Sequence, residues 1–225
     1  MNRVLVLRPQ PAAEETAARA RARGLRPIVA PLFEIRPLAW EMPAPCDALL
    51  LTSANAARHA GMLPDLPCYA VGPATAEAAR AAGLRTVIEG RDDGAAALAL
   101  ATADGHRRIL HLCGREHLPI EQDGVEMVRR FVYAAEAAAE LPAAARQAIA
   151  DGAVVLLHSP RAARTFAALA ERRQEIRVAA ISPAAAAAAG SGWAAIASAS
   201  EPRDQALLEV AAQLCKAAAA QDGDR

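Results

Sequence analysis

Leu49-Leu50-Leu51-Thr52-Ser53-Ala54-Asn55-Ala56-Ala57-Arg58 passes from an apolar run of strand length, through small polar residues, into an alanine-rich helical pattern. A buried parallel strand feeding the N-terminus of a helix has that order. Thr52, Ser53 and Asn55 are residue types whose oxygens accept the unpaired first-turn N–H groups of a helix. The same turn can instead present those N–H groups to an anion. The chain repeats the stretch at Val154-Val155-Leu156-Leu157-His158-Ser159-Pro160-Arg161-Ala162-Ala163-Arg164. Each copy is followed by a second matching pair, Tyr69-Ala70-Val71-Gly72-Pro73-Ala74-Thr75-Ala76 and Ala179-Ala180-Ile181-Ser182-Pro183-Ala184-Ala185-Ala186. The separation is 19 residues in one half (Ser53 to Gly72) and 23 in the other (Ser159 to Ser182). Matches in the same order at similar separation argue for two related halves facing one ligand.

Outward from this stretch, the pattern is βα throughout. Val4–Leu7 reads as a strand ended by Arg8-Pro9, followed by a helix over Pro11–Arg23 and a strand over Ile28–Ala30. Glu14 and Glu15 suit the positive end of that helix, and Arg19, Arg21 and Arg23 its negative end. Arg8 falls at the carboxyl edge of its strand, where open α/β sheets bind ligands. Between Pro31 and Pro45, Phe33 and Ile35 alternate with Glu34 and Arg36, and the prolines restrict the segment to an edge strand or connector. Strands are expected at Tyr69–Val71, Thr86–Ile88, Arg108–Arg115 with its polar exit, Glu126–Glu136, Ala153–Leu157, Val178–Ile181 and Trp193–Ala197. The helices between them cover Ala74–Ala82, Gly94–Ala103, Pro142–Ala150, Arg161–Arg172 and Ala184–Ala189, with Pro202–Ala220 last and Gln221–Arg225 frayed. About ten strands divide more naturally into two doubly wound layers of roughly five than into one sheet.

Composition removes several classes of function. Lys+Arg and Asp+Glu balance at 25 each, so no global field favours nucleic acid or a membrane surface. No run approaches the ~18 apolar residues of a membrane span. The N-terminal apolar run is too short for a signal peptide, and the four cysteines lack C-x-x-C or zinc spacing. Reduced core cysteines and a cytoplasmic location are expected. The five histidines form no H-E-x-x-H, and G-x-S-x-G, G-x-G-x-x-G and P-loop patterns are missing, so neither metal nor nucleotide cofactor is expected.

What remains is a duplicated set of hydroxyls and amides at helix starts: Ser53, Asn55, Gly72, Thr75, Ser159 and Ser182. Singly these residues cap helices; as a set facing a cleft they bind an anion. Each helix end favours a carboxylate by ~0.3–1 kcal/mol. Tyr133 lies on the return crossing, either as a packing residue or as a phenol able to donate a proton in the cleft.

With these residues assembled, the chain resembles the uroporphyrinogen-III synthase family. The resemblance runs through V-L-V-L-R-P, L-L-L-T-S-A-N-A-A, Y-A-V-G-P-A-T-A-E-A, I-L-H-L-C-G-R, F-V-Y-A-A-E and V-L-L-H-S-P-R-A-A, in that order. It implies an α/β fold of two doubly wound, flavodoxin-like parallel-sheet domains joined by a two-stranded connector. The first domain would be discontinuous, residues 1–34 and 137–225, the second would cover 38–130, and the connector strands 33–38 and 130–137. The implied reaction is cofactor-free closure of hydroxymethylbilane, a linear tetrapyrrole polycarboxylate, with loss of water and inversion of ring D. Tyr133 would assist departure of water. The carboxylates would be held by Arg8, by the turns Thr52, Ser53, Asn55 and Gly72, Pro73, Ala74, Thr75, by Gly114 and Arg115, and by Ser159, Pro160 and Ser182, Pro183, Ala184. Ala185, His158 and Ser182 depart from the residues usual in the second copy, which leaves its backbone amides as the expected contacts. A monomer is expected, with neither nucleic acid nor membrane as partner. The alternatives are a two-lobed binder of small carboxylates, using the same turns without chemistry, and an inactive paralogue.

Overall fold

The computed structural model describes residues 2–90 and 93–223, with the side chains of 220–223 left aside. The chain forms two compact units, Met1–Glu34 with Ala137–Arg225, and Ile35–Glu136.

The second unit begins with edge strand β3 (Phe33–Pro37), then β4 (Ala48–Leu51), α2 (Ala54–His59), β5 (Cys68–Val71), α3 (Pro73–Ala81) and β6 (Val87–Gly90). It ends with α4 (Gly94–Ala103), β7 (Arg108–Gly114) and β8 (Glu126–Ala137). The sheet order is β3-β8-β7-β4-β5-β6. All pairs from β8 to β6 are parallel. β3 is antiparallel to β8: Leu38 N–H donates to Val132 O and Ala138 N–H to Leu32 O, each at 2.9 Å. Burial on both faces explains the unbroken leucines. Leu49 and Leu51 pack with the alanines of α2 and α3, while Ala48 and Leu50 pack with Ala97, Leu98 and Ala101 of α4. Small helical side chains let the helices lie close to the sheet, and truncating a fully buried leucine there costs ~2–5 kcal/mol.

The first unit contains β1 (Arg3–Val6), α1 (Ala12–Arg21) and β2 (Arg26–Val29) from the N-terminal segment. The C-terminal segment adds α5 (Ala143–Ala150), β9 (Val154–Leu157), α6 (Pro160–Leu169), β10 (Arg177–Ala180), α7 (Pro183–Ala189), β11 (Ala195–Ser198) and α8 (Asp204–Gly223). Its parallel sheet runs β11-β10-β9-β1-β2. Val4, Val6, Val154 and Leu156 share a core with Leu207, Leu208 and Ala211 of α8.

The two sheets are the same structure entered at different points. Setting β4-β5-β6-β7-β8 against β9-β10-β11-β1-β2 reproduces the strand order. It also reproduces the register. Val4, Leu5 and Val6 pair with Val154, Val155 and Leu156, as Ile109, Leu110 and His111 pair with Ala48, Leu49 and Leu50. Likewise Val178, Ala179 and Ala180 pair with Val155, Leu156 and Leu157, as Cys68, Tyr69 and Ala70 pair with Leu49, Leu50 and Leu51. Ser53 therefore corresponds to Ser159, and Gly72 to Ser182, as the repeated stretches indicate.

Some local expectations shift. The described residues hold eleven strands, counting the edge strand β3. The expected helix Arg161–Arg172 stops at Leu169, because Ala170 is extended and Arg172 is left-handed (φ 49°) before a 3-10 turn at Arg173–Glu175. Trp193 precedes its strand and stacks on Phe166, ring centroids 5.6 Å apart. The last helix continues through Gln221 to Gly223 rather than fraying after Ala220, and residues 224–225 lie outside the described residues.

Candidate functional site

In the second unit the candidate residues gather at the carboxyl ends of β4, β5 and β7, where Tyr133 of β8 pairs with Gly114, the last residue of β7. Ser53 is the N-cap of α2: extended backbone there lets its Oγ accept the Asn55 N–H at 3.2 Å. Of the three capping residue types in this turn, only Ser53 caps through its side chain. Thr52 turns the other way, its Oγ1 3.2 Å from His111 Nε2. The Tyr133 hydroxyl donates to Ser53 Oγ at 3.2 Å, and the His59 ring lies 6.4 Å from the tyrosine ring, centre to centre. Arg115 contributes its backbone N–H, donated to Tyr133 O at 2.9 Å, while its side chain is exposed. Gly72 adopts φ 74°, ψ 164°, a region open essentially to glycine. That conformation turns the chain directly into α3, with Pro73 and Ala74 exposed at its start and Thr75 buried beneath them.

The first unit places its candidates at the equivalent edge. Ser159 Oγ accepts the Ala162 N–H at 3.1 Å, and Ser182 Oγ accepts the Ala185 N–H at 3.2 Å. Both hydroxyls thus cap helices opened by Pro160 and Pro183, with Ala184 exposed in the next position. Arg8 is engaged: its Nη1 donates to Thr16 Oγ1 and Asp204 Oδ1, each at 3.2 Å. Asp204 also accepts from Thr16 Oγ1 (2.7 Å) and Arg19 Nη1 (2.6 Å), and His158 Nε2 lies 3.2 Å from its Oδ1. Burial alone would raise the Asp204 carboxyl, but contacts with His158 and Thr16 and the charge of Arg8 hold it well below the usual carboxylate range. Beside this cluster lies a hollow of about 550 Å³ lined by Arg8, Arg19, Arg23, Arg203, Glu15 and Asp204, among others. Its guanidinium groups outnumber its carboxylates.

Residue-by-residue reading of the sequence does not single out Asp204, Arg19, Arg23 or Arg203 for this edge, nor the His111–Thr52 contact. The only local signal for Asp204 is an acid at the start of a helix after Pro202. Its partners Arg8, Thr16 and Arg19 lie more than 180 residues away in the chain. His111 reads as a structural strand residue, and it is fully buried; burial, with the nearby His117 and Arg129, pushes it down to about 4. Among the described residues no group of three or more His, Cys, Asp or Glu is arranged to hold a metal ion. No helix among them is long and apolar enough to cross a membrane.

A known structure shares this arrangement of strands and helices. A uroporphyrinogen-III synthetase from Helicobacter pylori 26695 superposes with a TM-score of 0.67 at 17 % identity, covering 95 % of this chain and 99 % of that one. A mutant uroporphyrinogen III synthase from the extremely thermophilic bacterium Thermus thermophilus gives a TM-score of 0.49 at 16 % identity, covering 96 % and 100 %. At 17 % identity, the likeness to the Helicobacter pylori structure is one of fold. Comparison with curated protein sequences finds no match. Residues 14–209 match the family model described as uroporphyrinogen-III synthase HemD. Matched over most of its length, the chain belongs to the uroporphyrinogen-III synthase family.

Proposed function

We propose that this chain closes hydroxymethylbilane to uroporphyrinogen III as a cyclising hydro-lyase, with Tyr133 as the proton donor to the departing hydroxyl. The phenol O–H protonates the terminal hydroxyl of the bilane, the C–O bond breaks, and water leaves behind an azafulvene cation. Attack by the substituted carbon of ring D gives a spiro intermediate, whose rearrangement inverts that ring. The proton lost as the pyrrole regains aromaticity restores the phenol. The backbone amides of the helix starts that follow Ser53, Gly72, Ser159 and Ser182 are the proposed holders of acetate and propionate groups. The arginine-lined hollow beside Asp204 supplies a further carboxylate site. We place the protein in the cytoplasm as a monomer.

The observation that supports the catalytic assignment best is the 3.2 Å contact between the Tyr133 hydroxyl and Ser53 Oγ. It puts an ionisable O–H among the strand ends where α/β sheets bind ligands. General-acid assistance contributes roughly 10²–10⁴-fold. Tyr133→Phe is therefore expected to lower kcat by about 10²-fold or more with little change in thermal stability. Undiminished turnover in that variant would remove the role.

A further inference from the structure

We propose that the β-bulge at Cys113/Gly114, together with the missing side chain of Gly114, is a positioning device that lays the Tyr133 phenol against Ser53. The inference rests on the catalytic reading of Tyr133 and explains how its strand can deliver it.

Successive strand residues point to opposite faces. Along β8, Val128 and Val132 pack against the core beneath α2 and α3, whereas Met127 packs on the α4 face. Strict alternation would send Tyr133 to the α4 side, away from Ser53. The register instead shifts: Cys113 pairs with Phe131, but Gly114 pairs with Tyr133, leaving Val132 as the extra residue. Val132 is fully buried in the α2/α3 core and Tyr133 packs against the same core, so two consecutive side chains share one face. A bulge can do this, and bulges beside active sites commonly re-aim a side chain.

Re-aiming brings the ring across its neighbouring strand, and that requires Gly114. A Cβ on Gly114 would stand 2.7 Å from Tyr133 Cζ, 2.8 Å from Cε2 and 2.9 Å from the hydroxyl oxygen. Real Cβ atoms do not approach so closely, so any larger residue displaces the phenol. Gly114 is not among the positive-φ glycines, so alanine fits its backbone, and the three nearest atoms its Cβ would meet all belong to the phenol. Gly114 is thus a positioning residue acting through Tyr133.

The test uses full-length protein carrying tyrosine labelled with ¹³C at Cζ. The chain has two tyrosines, and Tyr69 is buried and bonded to Asp104 at 2.5 Å, so it serves as an internal reference. Gly114→Ala is expected to move the Tyr133 resonance and leave that of Tyr69 in place. Its kcat should fall about 10²-fold, as for an ångström-scale misplacement, while KM changes less than about threefold. In a Tyr133→Phe background the same substitution should cost less than about threefold more. If Gly114→Ala folds poorly, adding it to a Tyr133→Ala variant should leave the melting temperature of Tyr133→Ala unchanged, because the ring it strikes is gone. An unmoved Tyr133 resonance, a loss fully additive with Tyr133→Phe, or instability that persists without the ring would each overturn the proposal. If Tyr133→Phe keeps full turnover, the proton-donor reading falls, and the resonance shift still decides the positioning.

Discussion

His111 sits fully buried in β7 with Nε2 at Thr52, and its low pKa makes the fold sensitive to acid. Unfolded, the imidazole titrates near 6.5; folded, burial first, then the nearby charges of His117 and Arg129, push it down to about 4. Between those values the unfolded chain binds the extra proton, so stability rises with pH across that window. The difference corresponds to ~3 kcal/mol. His158, also pushed below 6.5 by burial, adds in the same direction. Urea midpoints should therefore fall as pH drops from 6.5 to 4, and His111→Gln should flatten part of that slope; an unchanged slope would contradict the assignment. Asp204 acts in a lower window. Its depressed carboxyl contributes stability that is present above about pH 4 and lost below it. Asp204→Asn should lower stability by ~2–4 kcal/mol at neutral pH, because Arg8 and Arg19 lose their carboxylate partner. Equal unfolding free energies would show the cluster to be a solvated ion pair.

At the level of elements, the turn from β5 into α3 depends on Gly72. Nothing crowds its α-carbon, so Gly72→Ala tests backbone strain alone, and a loss of ~1–3 kcal/mol is expected by chemical denaturation. The cap of α2 is separable: Ser53→Thr should hold the melting temperature where Ser53→Ala loses ~1 kcal/mol. Turns of this kind were legible in the sequence, because a leucine run ending in Thr-Ser or a valine in Gly-Pro states its conformation locally. The placement of Tyr133 against Ser53 was not. Period-two alternation sends residue 133 to the wrong face, and the bulge that corrects it depends on pairing with β7. The end of α6 was hidden for a similar reason. Alanine and arginine through Arg172 favour helix, yet the chain leaves it after Leu169, and Arg173 Cζ then lies 5.0 Å over the Trp193 ring. Asp204 was equally opaque, since every partner comes from a distant segment.

Across the whole molecule, the matching registers of the two sheets explain why one sequence motif occurs twice. They also predict a folding outcome. Cys215 Sγ of α8 lies 3.7 Å from Arg3 O, so the last helix passes close to the first strand. Residues 137–223 joined to 2–34 by a flexible linker of about ten residues should fold alone and unfold cooperatively. A fragment with no cooperative transition would show that the first unit depends on the rest of the chain. Ligand response separates a dicarboxylate binder from a tetrapyrrole enzyme: the melting temperature should rise with tetrapyrrole polycarboxylates and stay put with small diacids. The most direct measurement supplies hydroxymethylbilane and separates the cyclic products by isomer. Left to itself the bilane closes without inversion to isomer I. Isomer III should dominate when the protein is present, and isomer I alone, at the unassisted rate, would contradict a ring-inverting site in this fold.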